Sequence, residues 1–463
     1  MLSSTTKYHF IGIGGAGMSA LATIALEKGM QVSGSDAQDS ATVARLRAAG
    51  AAVHIGHKEE HIAGAGAVVV STAIHGDNPE LVAAQKRGLP ILHRADVLAA
   101  FMLEQDGVGV AGAHGKTTTT SMLGLVFERC GADPTVIIGG DVDYLASNAK
   151  WGRGRYLLAE ADESDGSFLK LSPQMAVITN IENDHMDHYG TMENVLQAFV
   201  DFVARLPEEG KAVVCLDNAN IRSILPRLNR QVVTYGLERS DAEYRALRIR
   251  METGCTTFEV WHKEQCLGEV TLTVPGRHNV SNALASIIVA LEAGLPFAGI
   301  AAALLEFRGA KRRFQTKYRD EHIWVVDDYA HHPTEVATTL VAARQTQPKR
   351  LVCLFQPHRY SRTQLLYREF GAAFGAADVL VLTDVYAAGE APIQGVNGEL
   401  LFKAVVPTKG QQVHYVQDKA ALADFAMNQL QPGDLIMTMG AGDIWKVGEE
   451  LAALLENKQA LTD

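Results

Sequence analysis

Cysteine is scarce in this sequence and badly spaced for cross-linking. Cys130, Cys215, Cys255, Cys266 and Cys353 are scattered through 463 residues, odd in number and without a CxxC pair. That pattern argues against a disulfide framework or a structural zinc site and fits a reducing compartment. Long apolar runs are missing too: none approaches the roughly 20 residues that a membrane-crossing helix needs, so no membrane insertion is expected. "MLSSTTK" leads straight into the strand-like "YHFIGIG", with no basic region, apolar core and cleavage site in succession, and a cytoplasmic location is expected. Positive charge is in deficit, 42 Lys and Arg against 53 Asp and Glu, for a net charge of −11. A general nucleic-acid binder gains affinity from a cationic surface, so no nucleic-acid partner is expected. Any anionic ligand must find local positive charge, for which Lys116, the cluster Lys311-Arg312-Arg313, and Arg359 with Arg362 are the candidates. There is no internal repeat and no low-complexity tract.

What remains is the composition of a globular chain, 47% hydrophobic and 21% charged. At about 150 residues per domain, the length suggests roughly three domains. Short apolar runs alternate with helical stretches through "YHFIGIG", 18–28, "QVSGSD", 40–49, "AVVVSTAI" and 79–87, which predicts a parallel α/β sheet. A second unit opens near "GVGVAG" and holds strands at "YLLAEAD", "MAVITN" and "KAVVCLD". The third begins with "IWVVDDY" and alternates strand with helix to the end of the chain. The predicted fold is α/β in three domains, 1–98, 99–308 and 309–463, the outer two Rossmann-like and the central one of P-loop type.

"GIGGAG", residues 12–17, matches G-x-G-x-x-G after a strand, and Asp36 follows Gly17 by nineteen residues. Glycines admit the backbone to any diphosphate, so NAD and a UDP-sugar are both open at this point, as is a tight turn without a ligand. "GAHGKTTTT" has the ending of a P-loop, in which backbone N–H groups cradle phosphates, a lysine reaches the terminal ones and a hydroxyl holds Mg²⁺. It is shortened, because position 110 is Val110, and reads Gly112, Ala113, His114, Gly115, Lys116, Thr117, Thr118. "YLLAEADESDGSF" ends a strand in carboxylates. Glu160, nearest the strand, is read as completing a Mg²⁺ shell begun by Thr117; Asp162, Glu163 and Asp165 are equally well a solvated acidic loop. "NIENDHMDHYG" imitates a binuclear metallohydrolase cluster but has Asn183 where a histidine ligand would stand. A cation near ATP with His185 as one ligand is more economical, with Asp187 and His188 as capping or core residues. "VVDDYAHHPTEV" and "FQPHRYSRT" place polar clusters at two strand ends, and Arg359 with Arg362 make a good carboxylate fork.

In this order the motifs, with "PGRHNVSNALA" and "MGAGDIWKVGEEL", resemble the bacterial Mur ligases over essentially the whole chain, and among them most the member that joins L-alanine to UDP-N-acetylmuramate. The resemblance implies an ADP-forming amide ligase of peptidoglycan precursor synthesis, using ATP and Mg²⁺ and passing through an acyl phosphate. It implies that Lys116 is the phosphate lysine, that Thr117, Glu160 and His185 are metal positions, and that Asn279 and Asn282 lie on the adenine side. Arg313 and Asp328 would be brought to the nucleotide by the third domain as it closes on ATP. Tyr329, His331, His358, Arg359 and Arg362 would handle the amino acid. The first domain would bind the uridine nucleotide through Gly14, Gly15, Gly17, Met18 and Asp36. A family member that joins a tripeptide to the same nucleotide shares the earlier motifs, and "FQPHRYSRT" favours alanine. An NAD-dependent dehydrogenase is the reading from another class, motivated by "GIGGAG" and Asp36, and a non-catalytic nucleotide sensor is a third.

Overall fold

Strands rich in Val, Ile and Leu without polar alternation belong in parallel sheets covered on both faces, because each face must then be apolar. The computed structural model describes residues 2–460 apart from 146 and 253, and the side chains of all of these except 143, 187, 459 and 460. It contains three sheets, the body of each made of parallel strands, with antiparallel pairing at an edge of the central and third sheets. The first is made of β1 (Lys7–Ile11), β2 (Gln31–Asp36), β3 (Ala52–Ile55), β4 (Ala67–Val70) and β5 (Ile91–His93), all parallel, in the order β3-β2-β1-β4-β5. The order reverses between β1 and β4, and a sheet of this kind opens its ligand crevice at such a switch point, beyond the carboxyl ends of the strands. The "GIGGAG" turn leaves β1 at that place. Local signals set the flanking helices: Ser40 caps Ala41–Ala48, and Asn78 caps Pro79–Lys86 with proline in the first turn.

The central sheet comprises β6 (Asp106–Ala111), β7 (Thr135–Val142), β8 (Ser147–Lys150), β9 (Tyr156–Glu160), β10 (Met175–Ile178), β11 (Lys211–Cys215), β12 (Gln231–Gly236), β13 (Tyr244–Glu252), β14 (Cys255–His262) and β15 (Gln265–Leu272). Its order is β15-β14-β13-β12-β11-β10-β6-β9-β7-β8, which seats β6 between β9 and β10. The third sheet is β16 (Gln315–Arg319), β17 (Ile323–Asp328), β18 (Arg350–Phe355), β19 (Val379–Leu382), β20 (Gln412–Tyr415) and β21 (Asp434–Met439), in the order β16-β17-β21-β18-β19-β20, parallel except for the edge strand β16. Alternate strand residues pack to opposite faces, Val326, Cys353, Phe355 and Met437 on one, Val325, Leu354, Val381 and Ile436 on the other. That two-sided core is what a doubly wound sheet requires.

By packing, Met1–Ile249, Phe258–Thr271 and Val280–Phe307 form one compact unit, and Arg250–Thr257, Leu272–Asn279 and Arg308–Asp463 form a second. The first and central sheets therefore share a unit. Within it Asn148 donates to the Ala16 carbonyl at 2.7 Å, and Arg45 pairs with Asp141 at 3.0 Å. Residue 98 lies inside the helix Arg94–Met102, which passes from the first sheet toward the central one. The five cysteines are free thiols, and among the described residues no helix is long and apolar enough to cross a membrane.

Candidate active site

The first glycine turn is held from below by the end of β2. Ser35 accepts the N–H groups of Gly12 and Ile13 at 2.8 and 2.9 Å through its carbonyl, and the Asp36 carboxylate accepts that of Gly14 at 2.8 Å. A Cβ on Gly14 would come 2.9 Å from that carboxylate, so glycine is needed for the close approach. Gly15 caps the helix Ala16–Glu27 without any side-chain cap, and the N–H groups of Ala16, Gly17 and Met18 have no carbonyl to pair with inside the helix. A helix N-terminus left open in this way can receive an anion. The Met18 side chain is a core residue, buried at 3% exposure, so only its backbone faces the turn.

The second turn leaves β6 with Gly112 at φ +128° and Gly115 at φ +86°, conformations that L side chains rarely adopt, and the helix Lys116–Arg129 follows. Sequence reading missed its latch. Thr179 and Asn180, just after β10, grip the loop: Asn180 Oδ1 accepts His114 N–H at 2.9 Å, its carbonyl accepts Ala113 N–H at 3.3 Å, and Thr179 Oγ1 and Asn180 Nδ2 donate to the His114 carbonyl at 2.6 and 2.9 Å. A Cβ on Gly112 would collide with Thr179 Oγ1 at 2.2 Å, and one on Gly115 would meet Asn282 Oδ1 at 2.6 Å. The polar pair ending "MAVITN" was the available signal.

Lys116 Nζ donates to the Gly112 carbonyl at 2.6 Å and to Glu163 at 2.8 Å. Burial alone would lower its pKa, but Glu163, Asp162 and Glu160 outweigh it and hold the ammonium above the ordinary lysine value. Glu163 is only 2% exposed, and its Oε2 is buried without a hydrogen bond among the described residues. His185, at φ +57°, brings Nε2 to 3.6 Å from Glu163 Oε1, and despite burial its pKa is raised by Glu163 and Asp184. The acidic loop is therefore built in, not solvated. Asp162 and Asp165 pair with Arg94 at 2.7 and 3.3 Å, and although burial opposes it, Lys116 and Arg94 hold the Asp162 carboxyl down at about 2. Arg94 begins the helix after β5, and nothing local to it announced this role. His188 is exposed in the last turn of a short helix, so of the two expected uses, capping or core, the core one does not hold for it; the Asp187 side chain lies outside the described residues.

Thr117 Oγ1 donates to Glu160 at 3.2 Å, and Glu160 also accepts Gly139 N–H at 2.6 Å. A hydroxyl beside a carboxylate at the mouth of the turn suits a hard cation such as Mg²⁺, which keeps waters and takes the rest of its shell from phosphate oxygens. Among the described residues no group of three or more His, Cys, Asp or Glu side chains is placed to hold a metal ion, and His185 stands against Glu163 and Asp184 at 3.6 and 3.7 Å. Thr118 is buried as the third residue of the helix. Asn279 and Asn282 lie on the helix Arg277–Glu292, both buried, and Asn279 donates to the Pro275 carbonyl at 2.6 Å.

The remaining candidates gather in the second unit. Asp328 ends β17, and its two oxygens accept the N–H groups of Ala330 and Phe314 at 2.8 Å each. The guanidinium groups of Arg312 and Arg313 sit 4.8 and 5.2 Å from the Tyr329 ring, and Arg313 lies 3.7 Å from Glu335. His331 Nδ1 is 3.2 Å from Glu335, and its ring meets that of His358 edge-on at 5.9 Å. Arg362 donates to His358 Nδ1 at 3.2 Å, and His358 stacks on Tyr386 at 5.7 Å. Burial first, then His331 and the nearby arginines, push His358 down to about 3, so it is neutral at ordinary pH. Arg359 caps the helix Tyr360–Ala373 at φ +70°, its N–H donated to the Tyr386 carbonyl at 2.8 Å.

Asp328 supplies a pH prediction. Burial pushes its carboxyl up to about 6 despite Arg313. The folded state then keeps the proton to higher pH than the unfolded chain, so the stability it contributes is full below about pH 4 and is lost as pH rises through about 6. Asp328→Asn never ionises. In urea melts the wild type should therefore lose ground to this variant, by on the order of 3 kcal/mol between about pH 4 and pH 7. A difference that does not change with pH would overturn the raised value.

Three family models match in succession, the Mur ligase family catalytic domain over 7–106, the Mur ligase middle domain over 110–290 and the Mur ligase glutamate ligase domain over 312–442. The chain belongs to the Mur ligase family. Relatives of this Mur ligase include proteins named UDP-N-acetylmuramate–L-alanine ligase from Pelotomaculum thermopropionicum, 51% identical over 98% of each chain, and from Geobacter sulfurreducens, 49% identical over 98% of this chain and 99% of that one. Among solved structures, the UDP-N-acetylmuramate–alanine ligase of Thermotoga maritima superimposes with a TM-score of 0.84 at 29% identity, covering 98% of this chain and 100% of the other. A murein peptide ligase from Psychrobacter arcticus has the same fold, with a TM-score of 0.72 at 24% identity over 98% and 99% of the two chains.

Proposed function

We propose that this Mur ligase joins L-alanine to UDP-N-acetylmuramate at the expense of ATP. The observation that carries the reading is the presence in one compact unit of two glycine turns that each open an uncapped helix N-terminus, one after β1 and one after β6. Only the second is armed with a lysine and a cation-binding hydroxyl. A nucleoside diphosphate sugar suits the first turn and a triphosphate the second. The relatives' names support the choice of uridine nucleotide and amino acid.

A carboxylate is a poor acyl donor, because its charge repels nucleophiles and oxide is a very poor leaving group. In the proposed reaction a carboxylate oxygen of UDP-N-acetylmuramate attacks the γ-phosphorus, the bond to the β-phosphate oxygen breaks, and ADP leaves. The amine of L-alanine then adds to the carbonyl carbon, phosphate departs and the amine proton is released. Lys116 holds positive charge where the transferring phosphoryl group gathers negative charge, and the N–H groups that open the helix at Lys116, Thr117 and Thr118 would fix the phosphates, since those of Ala113 and His114 are taken by Asn180. Thr117 and Glu160 would hold Mg²⁺, which supplies charge neutralisation at the phosphates. Arg359 and Arg362 would take the alanine carboxylate, leaving its amine free, with Arg362 oriented by His358. On this reading the reaction runs in the cytoplasm.

The test is release of inorganic phosphate with each component omitted in turn. Turnover should require ATP, Mg²⁺, UDP-N-acetylmuramate and L-alanine together. Rapid ATP hydrolysis by the enzyme alone, or preference for a tripeptide over alanine, would overturn the reading.

A further inference from the structure

A second cluster of charge is buried beneath the first glycine turn, away from the phosphate grip. Glu80, in the first turn of the helix Pro79–Lys86, has 0% exposure. Its Oε1 accepts from His61 Nδ1 at 2.7 Å and from Lys58 N–H at 3.2 Å; its Oε2 accepts from Ser35 Oγ and lies 3.2 Å from His9 Nε2. His57 Nδ1 stands 3.7 Å from the same oxygen and 3.0 Å from Ser35 Oγ. Burial would raise the carboxyl's pKa, but the hydrogen bonds from His9, Ser35 and His61 bring it down to about 2, so the group is a carboxylate. Four donors from three segments of chain converge on one buried anion. Well-packed apolar side chains can replace such a group without loss of stability, so stability alone does not account for it.

Ser35 connects the cluster to the turn. Its hydroxyl is held by Glu80 while its carbonyl takes the N–H groups of Gly12 and Ile13, and the next residue, Asp36, takes that of Gly14. Two consecutive residues at the end of β2 thus hold three consecutive amides of the turn. The helix that follows is left with its first N–H groups open to an anion. Glutamine at position 80 would fill the same volume but present an NH₂ group where a carboxylate oxygen accepts, so one of His61, Ser35 or Lys58 would lose its acceptor.

We propose that Glu80 is a positioning residue for the nucleotide turn: by fixing Ser35, which anchors Gly12 and Ile13, it holds the open N–H groups of Ala16, Gly17 and Met18 in the geometry that receives the diphosphate of the uridine nucleotide. This rests on the assignment of that turn to UDP-N-acetylmuramate. Glu80 acts through Ser35 and does not touch the substrate.

The test uses Glu80→Gln and Ser35→Ala in the full chain, with steady-state kinetics, thermal melts and calorimetric titration with UDP alone. Glu80→Gln should raise KM for UDP-N-acetylmuramate about tenfold, and Ser35→Ala about threefold, with the Kd for UDP rising in step, since misplacement of a binding group costs affinity steeply. At saturation kcat should stay within about twofold of wild type, as should KM for ATP, because the phosphate grip is latched separately by Thr179 and Asn180. A lowered Tm with unchanged KM for the uridine substrate would make the cluster purely structural and overturn the proposal. A fall in kcat with KM unchanged would overturn it as well. Should Glu80→Gln not fold, Ser35→Ala decides, since it leaves Glu80 with His9, His61 and Lys58. If the wild type itself does not bind UDP, the assignment of the turn fails, and not the role of Glu80.

Discussion

Lys116→Ala should lower kcat for phosphate release by about 10²–10³, or roughly 3 kcal/mol of transition-state stabilisation, the scale seen when one preorganised donor is removed from developing oxyanion charge. The geometry supports so large an effect. Lys116 is held at the mouth of the turn by the Gly112 carbonyl and Glu163, and its surroundings of Glu163, Asp162 and Glu160 keep it protonated. The charge is already in place before phosphate arrives, so none of the effect is spent on reorganisation. Truncation also leaves Glu163 buried at 2% exposure with its cation gone, so some loss of stability is expected alongside. Stopped assays at saturating substrates, with a thermal melt as control, read the two separately. A variant within a few-fold of wild-type kcat would remove Lys116 from phosphoryl transfer.

Arg359→Ala should weaken the use of alanine by about ten- to a hundredfold, since charge-assisted bonds to a carboxylate contribute roughly 1.5–3 kcal/mol each. The substitution is clean in one respect. Arg359 sits at φ +70°, and alanine carries the same Cβ, so the backbone strain is unchanged and the N–H bond to the Tyr386 carbonyl is retained. What is lost is the guanidinium. KM for alanine should rise while KM for ATP stays put; the reverse would mean that this arginine serves phosphate. Arg359→Lys should recover only part of the activity, because it keeps the charge but not the planar pair of donors. Arg362→Ala is the less clean experiment, since it also frees His358 Nδ1.

The two glycine turns were legible because their chemistry is local. Gly112 and Gly115 stand where φ is positive, within a few residues of the strand and helix that they join. A short segment of chain can therefore announce a glycine turn between strand and helix, its lysine and its hydroxyl. The same holds for the strand ends at Asp328 and at His358 with Arg359, where an apolar run stops in a polar cluster. Asp162, Glu163 and Asp165 were not legible in this way. Carboxylates in a loop read alike whether they face water or a buried lysine, and the difference is made by Lys116, 47 residues away from Glu163, and Arg94, 68 residues away from Asp162.

Sequence by itself determined the α/β class, the three sheets in succession, the family and the positions of both glycine turns, because strand periodicity, glycine backbone freedom and helix N-termini act over a few residues. Only the tertiary structure decided what each charged or polar group faces. It set Thr179 and Asn180 on the His114 loop, drew Arg94 onto the acidic loop, and buried Glu80 among His9, Ser35 and His61, with His9 and Glu80 71 positions apart. The reason is energetic: a charge is tolerated inside a protein only where partners converge on it, and partners from distant strands converge only once the sheet order places their ends side by side.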